Sequence, residues 1–341
     1  MLTAHGPWRE RRGVLVRVED AAGRVHYTEA APLPWTGGAG GRGSDRTFDL
    51  SKESLTPDHV QRLIGRRAPA PLPDTSSREV AALLPAGRAA VDAMRDRRAA
   101  GFRTFKWKVG VASDPAEELD ILDELCAELP TEAAAGARPA RLRLDANGGW
   151  DQRTAERWLE RCAELGSKIE FIEQPVWAGP GASAREQRRT EDVLLGLSAD
   201  YPTALALDES LLGDGDVHGW LERGWQGVFV VKPTLLAEPA TVLAELARAD
   251  ARVVFSSALE TAVGAKEALR WAFAWETRAR REGQQGREKR AGARQTEPYA
   301  LGFGVWPLFA EAALNGPCAS PFLSREAVEA INSEAAWNAL S

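Results

Sequence analysis

Eight short apolar runs, separated by Ala/Glu/Arg-rich segments with helical spacing, restrict this chain more than any other feature. The runs fall at residues 80–85, 104–110, 141–147, 169–175, 204–210, 227–233, 252–258 and 300–305. Helix candidates between them include residues 87–99, 115–129, 152–165, 237–249 and 262–279. Strands that alternate with helices imply βα units and a parallel sheet. Eight of them within about 225 residues fit a closed barrel, whose usual size is about 250 residues. An open doubly wound sheet is the structural alternative, but no G-x-G-x-x-G or Walker sequence supports it. The expected fold class is α/β: a (β/α) barrel of (β/α)7β-like form with a small α+β cap domain.

Residues 13–19 and 24–31 alternate apolar and polar around Asp20 to Gly23, which predicts a β-hairpin. Gly/Pro-rich sequence follows at 31–45, then a short helix is expected over 56–67 and a linker over 67–77. The expected organisation is a cap over 1–79, a barrel over 80–310, and a C-terminal segment over 311–341 that packs on either. The cap is apparently shortened. The charge- and Gly-dense stretch 278–298 reads as a solvated loop before the last strand.

Composition narrows the function classes. Lys and Arg number 43 against 49 Asp and Glu, a net charge of -6, which argues against a nucleic-acid surface. The 3 cysteines lie far apart without CxxC spacing, so neither a disulfide scaffold nor a zinc cluster is expected. The first residues have no apolar stretch and no 18-residue apolar run occurs, so the expectation is a cytoplasmic protein without a membrane span. A homo-oligomer is compatible with all of this.

The ends of the strands are unusually polar. Asp145, Glu173 and Asp208 close three successive runs, Lys232 closes the next, and Lys106 and Lys108 lie on the second. In a (β/α) barrel the strand C-termini surround one mouth, where active sites are built. Three carboxylates converging there repel one another, and a divalent cation resolves the repulsion. Oxygen ligands without His or Cys favour a hard ion, Mg2+ before Mn2+ or Ca2+. Residues i and i+2 of a strand share a face, so Lys106 and Lys108 point together, as do Arg143 and Asp145. An ammonium beside another cation gives up its proton more readily, so one of the pair is a candidate base, with Lys232 facing it. Such a set suits removal of a proton next to a carboxylate, with an enediolate as the product. Trp107, between the lysines, points outward; Trp35 and Trp306 are candidate walls of the site.

In order along the chain, FKWKVG, LRLDANGGW, IEFIEQP, ALDES, VVKPTL and FSSALETAVG resemble the later strands of the enolase superfamily. TAHGPWRERRGVLVRVED, EAAPLPW and VAALLPAG resemble the cap start and first barrel strand of its o-succinylbenzoate synthases. The resemblance implies Asp145, Glu173 and Asp208 as Mg2+ ligands, Lys108 as acid/base catalyst, Lys106 tuning it, and Lys232 stabilising the anionic intermediate. It further implies Arg143 as a basic position tied to the synthase reaction. Ser256, Ser257 and the backbone of Gly302 to Gly304 would contact substrate carboxylates, with Asn147 and Glu209 orienting the ligand shell. The implied activity is dehydration of a small carboxylate. N-acylamino acid racemase, dipeptide epimerase and muconate cycloisomerase are the alternatives.

Overall fold

The computed structural model describes residues 10–33, 77–111, 115–130, 139–287 and 298–340 except 318, with isolated positions elsewhere before 77. Eight parallel strands are bonded in the order β7-β6-β5-β4-β3-β2-β1-β8. They are β1 (Arg78–Leu84), β2 (Thr104–Lys108), β3 (Arg141–Asp145), β4 (Ile169–Glu173), β5 (Leu205–Leu207), β6 (Val228–Val231), β7 (Arg252–Phe255) and β8 (Leu301–Gly304). A parallel bridge between Ser256 and Gly302 joins the two ends into a nearly closed ring. Seven helices alternate with the strands: α1 (Ala89–Ala99), α2 (Pro115–Glu128), α3 (Gln152–Leu165), α4 (Ala184–Asp200), α5 (Asp214–Glu222), α6 (Pro239–Arg248) and α7 (Ala262–Arg287). This is the (β/α)7β arrangement, and all eight anticipated strands are present.

Local sequence explains where the elements start. The Asp151 carboxylate accepts from Thr154 N at 2.7 Å to open α3. Ser183 and Glu186 form a reciprocal capping box at α4. Between sheet and helices the packing is aromatic: Trp107 points outward from β2 and meets Trp158 of α3 at 6.4 Å between centroids, while Trp150 stacks on Trp158 at 4.9 Å. That outward direction sends its strand neighbours Lys106 and Lys108 to the other face.

Two expectations are corrected here. Strand β1 begins at Arg78, two residues early, because Arg78 and Glu79 pair antiparallel with Leu323 and Phe322. The anticipated loop 278–298 is helical as far as Arg287. Its Ala, Glu, Arg and Gln content favours helix strongly enough to carry two glycines. The remainder of that stretch lies outside the described residues, as do most of the helix expected over 56–67 and most of the shortened cap between Trp35 and Val80.

The anticipated hairpin spans Val14–Glu19 and Val25–Ala30 in antiparallel register. Its last turn of strand anchors it to the barrel. Glu29, 5% exposed, accepts hydrogen bonds from Thr261 N at 3.1 Å and Gly264 N at 2.9 Å, and from the Thr261 hydroxyl. These are free donors at the N-terminus of α7, where an anionic side chain is doubly favoured. Near the C-terminus, the helix Ser333–Asn338 brings Trp337 to 6.2 Å from Tyr27 of the hairpin. Replacing Glu29 by Ala leaves several buried donors unmet, so urea unfolding should show a loss of about 2 kcal/mol or more. An unchanged midpoint would remove Glu29 from the anchoring role.

Candidate active site

The strand register places the charged groups. Lys108 of β2, Asp145 of β3 and Glu173 of β4 are lateral neighbours in one layer at the C-terminal ends of their strands. Asp208 follows β5 and Lys232 follows β6 at the same rim. Asp145, Glu173 and Asp208 are buried, at 1%, 2% and 5% exposure. One cavity is lined by Lys106, Lys108, Asp145, Asn147, Asp208, Glu209, Lys232, Ser256, Ser257, Gly302 and Gly304, and Leu33, just after the hairpin, forms part of its wall.

The lysines interleave with the acids. Lys106 Nζ lies 2.7 Å from Glu173 and 2.9 Å from Asp145. Lys108 Nζ lies 3.4 Å from Asp145 and donates to Asn147 Oδ1. Lys232 donates to Asp208 at the far end of the row. Burial would lower the Lys106 pKa, but Asp145, Glu173 and Asp208 outweigh it and raise it above the ordinary value. Lys232 is likewise raised against its burial, by Asp208 and Glu209. Of the two candidate bases Lys106 is therefore the one held protonated, because the carboxylates around it outweigh repulsion from Lys108.

The acids are in surplus: Asp145, Glu173, Asp208 and Glu209 face Lys106, Lys108 and Lys232, four against three. Burial and the neighbouring Asp145 and Asp208 push Glu173 well above the usual carboxylate range, despite the pull of Lys106. Burial, Asp208 and Asp145 push Glu209 up to about 7. Asp145 moves the other way, because Lys106 and Lys108 overcome its burial. Among the described residues no three acidic, His or Cys side chains form a ready coordination shell, and the ammonium of Lys106 lies between two of the acids. A buried, all-oxygen cluster with excess negative charge nevertheless fits a hard divalent cation, which would be held by Asp145, Glu173 and Asp208.

Backbone conformation at the rim is specialised. Asn147 follows β3 with φ 46°, Gln174 follows β4 with φ 39°, and Leu259 follows β7 with φ 60°. Left-handed conformations of non-glycine residues persist only where their surroundings hold them. Asn147 is held by its side chain, which donates to Glu209 at 3.0 Å, and by its own N–H, which donates to Asp145 at 3.1 Å. Gln174 was overlooked in the sequence. Its Oε1 accepts from Asp208 N at 2.9 Å and Ser210 N at 3.1 Å, while its Nε2 donates to Val176 O and Ser210 Oγ. It thus ties the end of β4 to the end of β5. The only sequence signal was its place directly after Glu173.

Other anticipated contacts are distributed unevenly. Ser256 and Ser257 reach the cavity beside Gly302. A Cβ on Gly304 would lie 2.2 Å from Ala81 O, so glycine there is required by the approach of β8 to β1. Arg143 does not line the cavity. It is 1% exposed, bonded to Glu170 at 2.6 Å and set over the Phe171 ring at 4.9 Å, because an irregularity in β4 turns Glu170 toward it. Trp306 is also withdrawn from the wall, buried against Phe303. Trp35 lies outside the described residues.

The barrel, its rim acids and its rim lysines define a class. The enolase C-terminal domain-like family matches residues 89–296. The o-succinylbenzoate synthase of Thermosynechococcus vestitus is 37% identical over 289 residues, 77% of this chain and 81% of that protein. The crystal structure of o-succinylbenzoate synthase from Thermosynechococcus elongatus BP-1, complexed with Mg in the active site, has a TM-score of 0.65 and 34% identity. It is matched over 89% of this chain and 88% of that one. A chloromuconate cycloisomerase of Pseudomonas putida is 30% identical over 48% of this chain and 40% of that protein. The chain belongs to the enolase superfamily and, within it, to the o-succinylbenzoate synthase family.

Gln174→Leu removes the acceptor of two rim N–H groups. We expect divalent-cation affinity, read by calorimetry, to fall roughly tenfold or more. Affinity equal to the parent would show that Gln174 does not order the ligands.

Proposed function

We propose that this chain is an o-succinylbenzoate synthase, converting 2-succinyl-6-hydroxy-2,4-cyclohexadiene-1-carboxylate to 2-succinylbenzoate in the cytoplasm, on the way to a menaquinone or phylloquinone. The observation that carries the reading is the row of acids flanked by Lys106 and Lys108 at one end and Lys232 at the other. The long match to synthases, against a partial match to a cycloisomerase, selects dehydration among the reactions that such a row permits.

Mg2+ is the expected cation, with Mn2+ as a substitute. When bound by Asp145, Glu173 and Asp208, it supplies positive charge that relieves the lysines of those carboxylates and offsets charge on the substrate carboxylate. Lys108 then takes the proton alpha to the ring carboxylate. Lys232 presents an ammonium to the anion that forms, and Lys106, on the same face of β2, holds Asp145 and Glu173 beside the base. Lys108 returns the proton to the leaving hydroxyl, so that water departs and the ring becomes aromatic. Ser256 and Ser257 donate to a substrate carboxylate. Asn147, bonded to both Lys108 and Glu209, fixes the direction of the base.

Purified protein should form 2-succinylbenzoate with Mg2+ and lose the activity on chelation. Lys108→Ala should lower kcat roughly 100-fold to 10,000-fold while circular dichroism stays that of the parent. Turnover within about tenfold of the parent would overturn the assignment. Lys232→Ala should lose turnover but retain cation affinity.

A further inference from the structure

Ser257 stands in the cavity wall with one proton to give. Its hydroxyl accepts from Leu259 N at 2.9 Å and lies 3.2 Å from Glu260 Oε2. A hydroxyl has one donor and two lone pairs. When Glu260 is ionised, the serine proton is committed to it and is not available to a ligand. When Glu260 carries a proton, the bond reverses, its O–H fills the second lone pair, and the serine proton is free to turn into the cavity.

The surroundings of Glu260 are built for that reversal. It is fully buried, and its Oε1 has no hydrogen-bond partner. Glu29 of the hairpin takes the Thr261 and Gly264 donors at the start of α7 and leaves them unavailable to Glu260. A Cβ on Gly264 would come within 2.8 Å of both Glu260 and Glu29, so glycine there lets the two acids share one pocket. Arg11 faces them from the N-terminal segment, donating to Leu259 O and Ala258 O at 3.2 Å each. Burial pushes the Glu260 carboxyl up to about 7. The backbone N–H groups of Glu260 and Ala258 and the Arg11 guanidinium oppose the rise, while Glu29 adds to it.

We propose that Glu260 is a positioning residue that sets the direction of the Ser257 hydroxyl, donating to it when a substrate carboxylate is bound and so turning the serine proton toward that carboxylate. The proposal rests on the reading of Ser257 as a carboxylate contact. It makes the hairpin part of substrate recognition, because Glu29 and Arg11 set the charge that Glu260 meets.

Below about pH 7 Glu260 is protonated and the serine donor is free; above it the donor is withdrawn. In the Mg2+-loaded parent, KM should rise roughly tenfold between about pH 6 and about pH 8.5, with kcat changing much less. Glu260→Gln keeps a permanent N–H donor beside Ser257, so its KM should stay low and flat. Ser257→Ala should be flat and high. Glu209 titrates in the same range, but it is present in every variant and cannot flatten one profile alone. A KM that rises in Glu260→Gln in parallel with the parent overturns the proposal. Should that variant fail to fold, a rising KM in Ser257→Ala overturns it equally. A second readout is independent of turnover: the infrared carboxyl stretch lost between the same pH limits in the parent must be reduced in Glu260→Gln by the share of one carboxyl, leaving only that of Glu209. If it is unchanged there, the proposal fails. A parent without turnover overturns the synthase reading, and the infrared band then decides the role of Glu260.

Discussion

The balance of charge at the rim governs the rest of this molecule. Four acids and three lysines are withdrawn from water at the ends of adjacent strands. An unpaired ion in such a place costs several kcal/mol, and attraction repays that only where the geometry is good. The ring supplies the geometry: lateral register puts Lys108, Asp145 and Glu173 side by side. The balance is still incomplete, and the excess falls on Glu173 and Glu209, whose carboxyls are driven upward. A site left one positive charge short is a site prepared for a cation.

Register alone would not hold this arrangement, because side chains at strand ends have backbone on one side only. The strained turns provide the missing restraint. Asn147 and Gln174 each adopt a left-handed conformation and each spends its amide on another strand end: Gln174 on the residues around Asp208 at the end of adjacent β5, and Asn147 past β4 on Glu209. The strain, of order 1–3 kcal/mol per residue, is offset by hydrogen bonds: Gln174 accepts from backbone N–H groups that would otherwise be unmet, and Asn147 donates to two buried carboxylates. Rigid rim backbone is what lets short acids keep their spacing.

Much of this was legible in the sequence because periodicity and strand-end chemistry are local. The eight strands and the convergence of Lys106, Lys108, Asp145, Glu173, Asp208 and Lys232 follow from runs of fewer than ten residues combined with one topological rule. What was missed depends on features that no local pattern carries. Arg143 shares a face with Asp145, yet a slip in β4 brings Glu170 against it and holds it below the cavity. Gln174 matters through its backbone angle, and glutamine has no reputation for one. The repulsion between Lys106 and Lys108 was visible because they stand two positions apart on one strand, whereas the stronger attraction on Lys106 was not, because it comes from Asp145 and Glu173, 39 and 67 residues away (145 − 106 and 173 − 106).

The junction of hairpin and barrel shows how a peripheral element reaches the site. An acid on the hairpin that only capped α7 would be an anchor and nothing more. Glu29 instead sits in one pocket with Glu260, so the donors it takes are donors that Glu260 lacks. Gly264 keeps that pocket open, and Arg11 closes its other side against the loop after β7. Ser257 is bonded to Glu260 on one side and faces the cavity on the other. A hydroxyl in that position responds to the charge behind it, and that charge is set from outside the barrel. The hairpin therefore acts on the cavity electrostatically, by a route that requires no movement of the barrel strands.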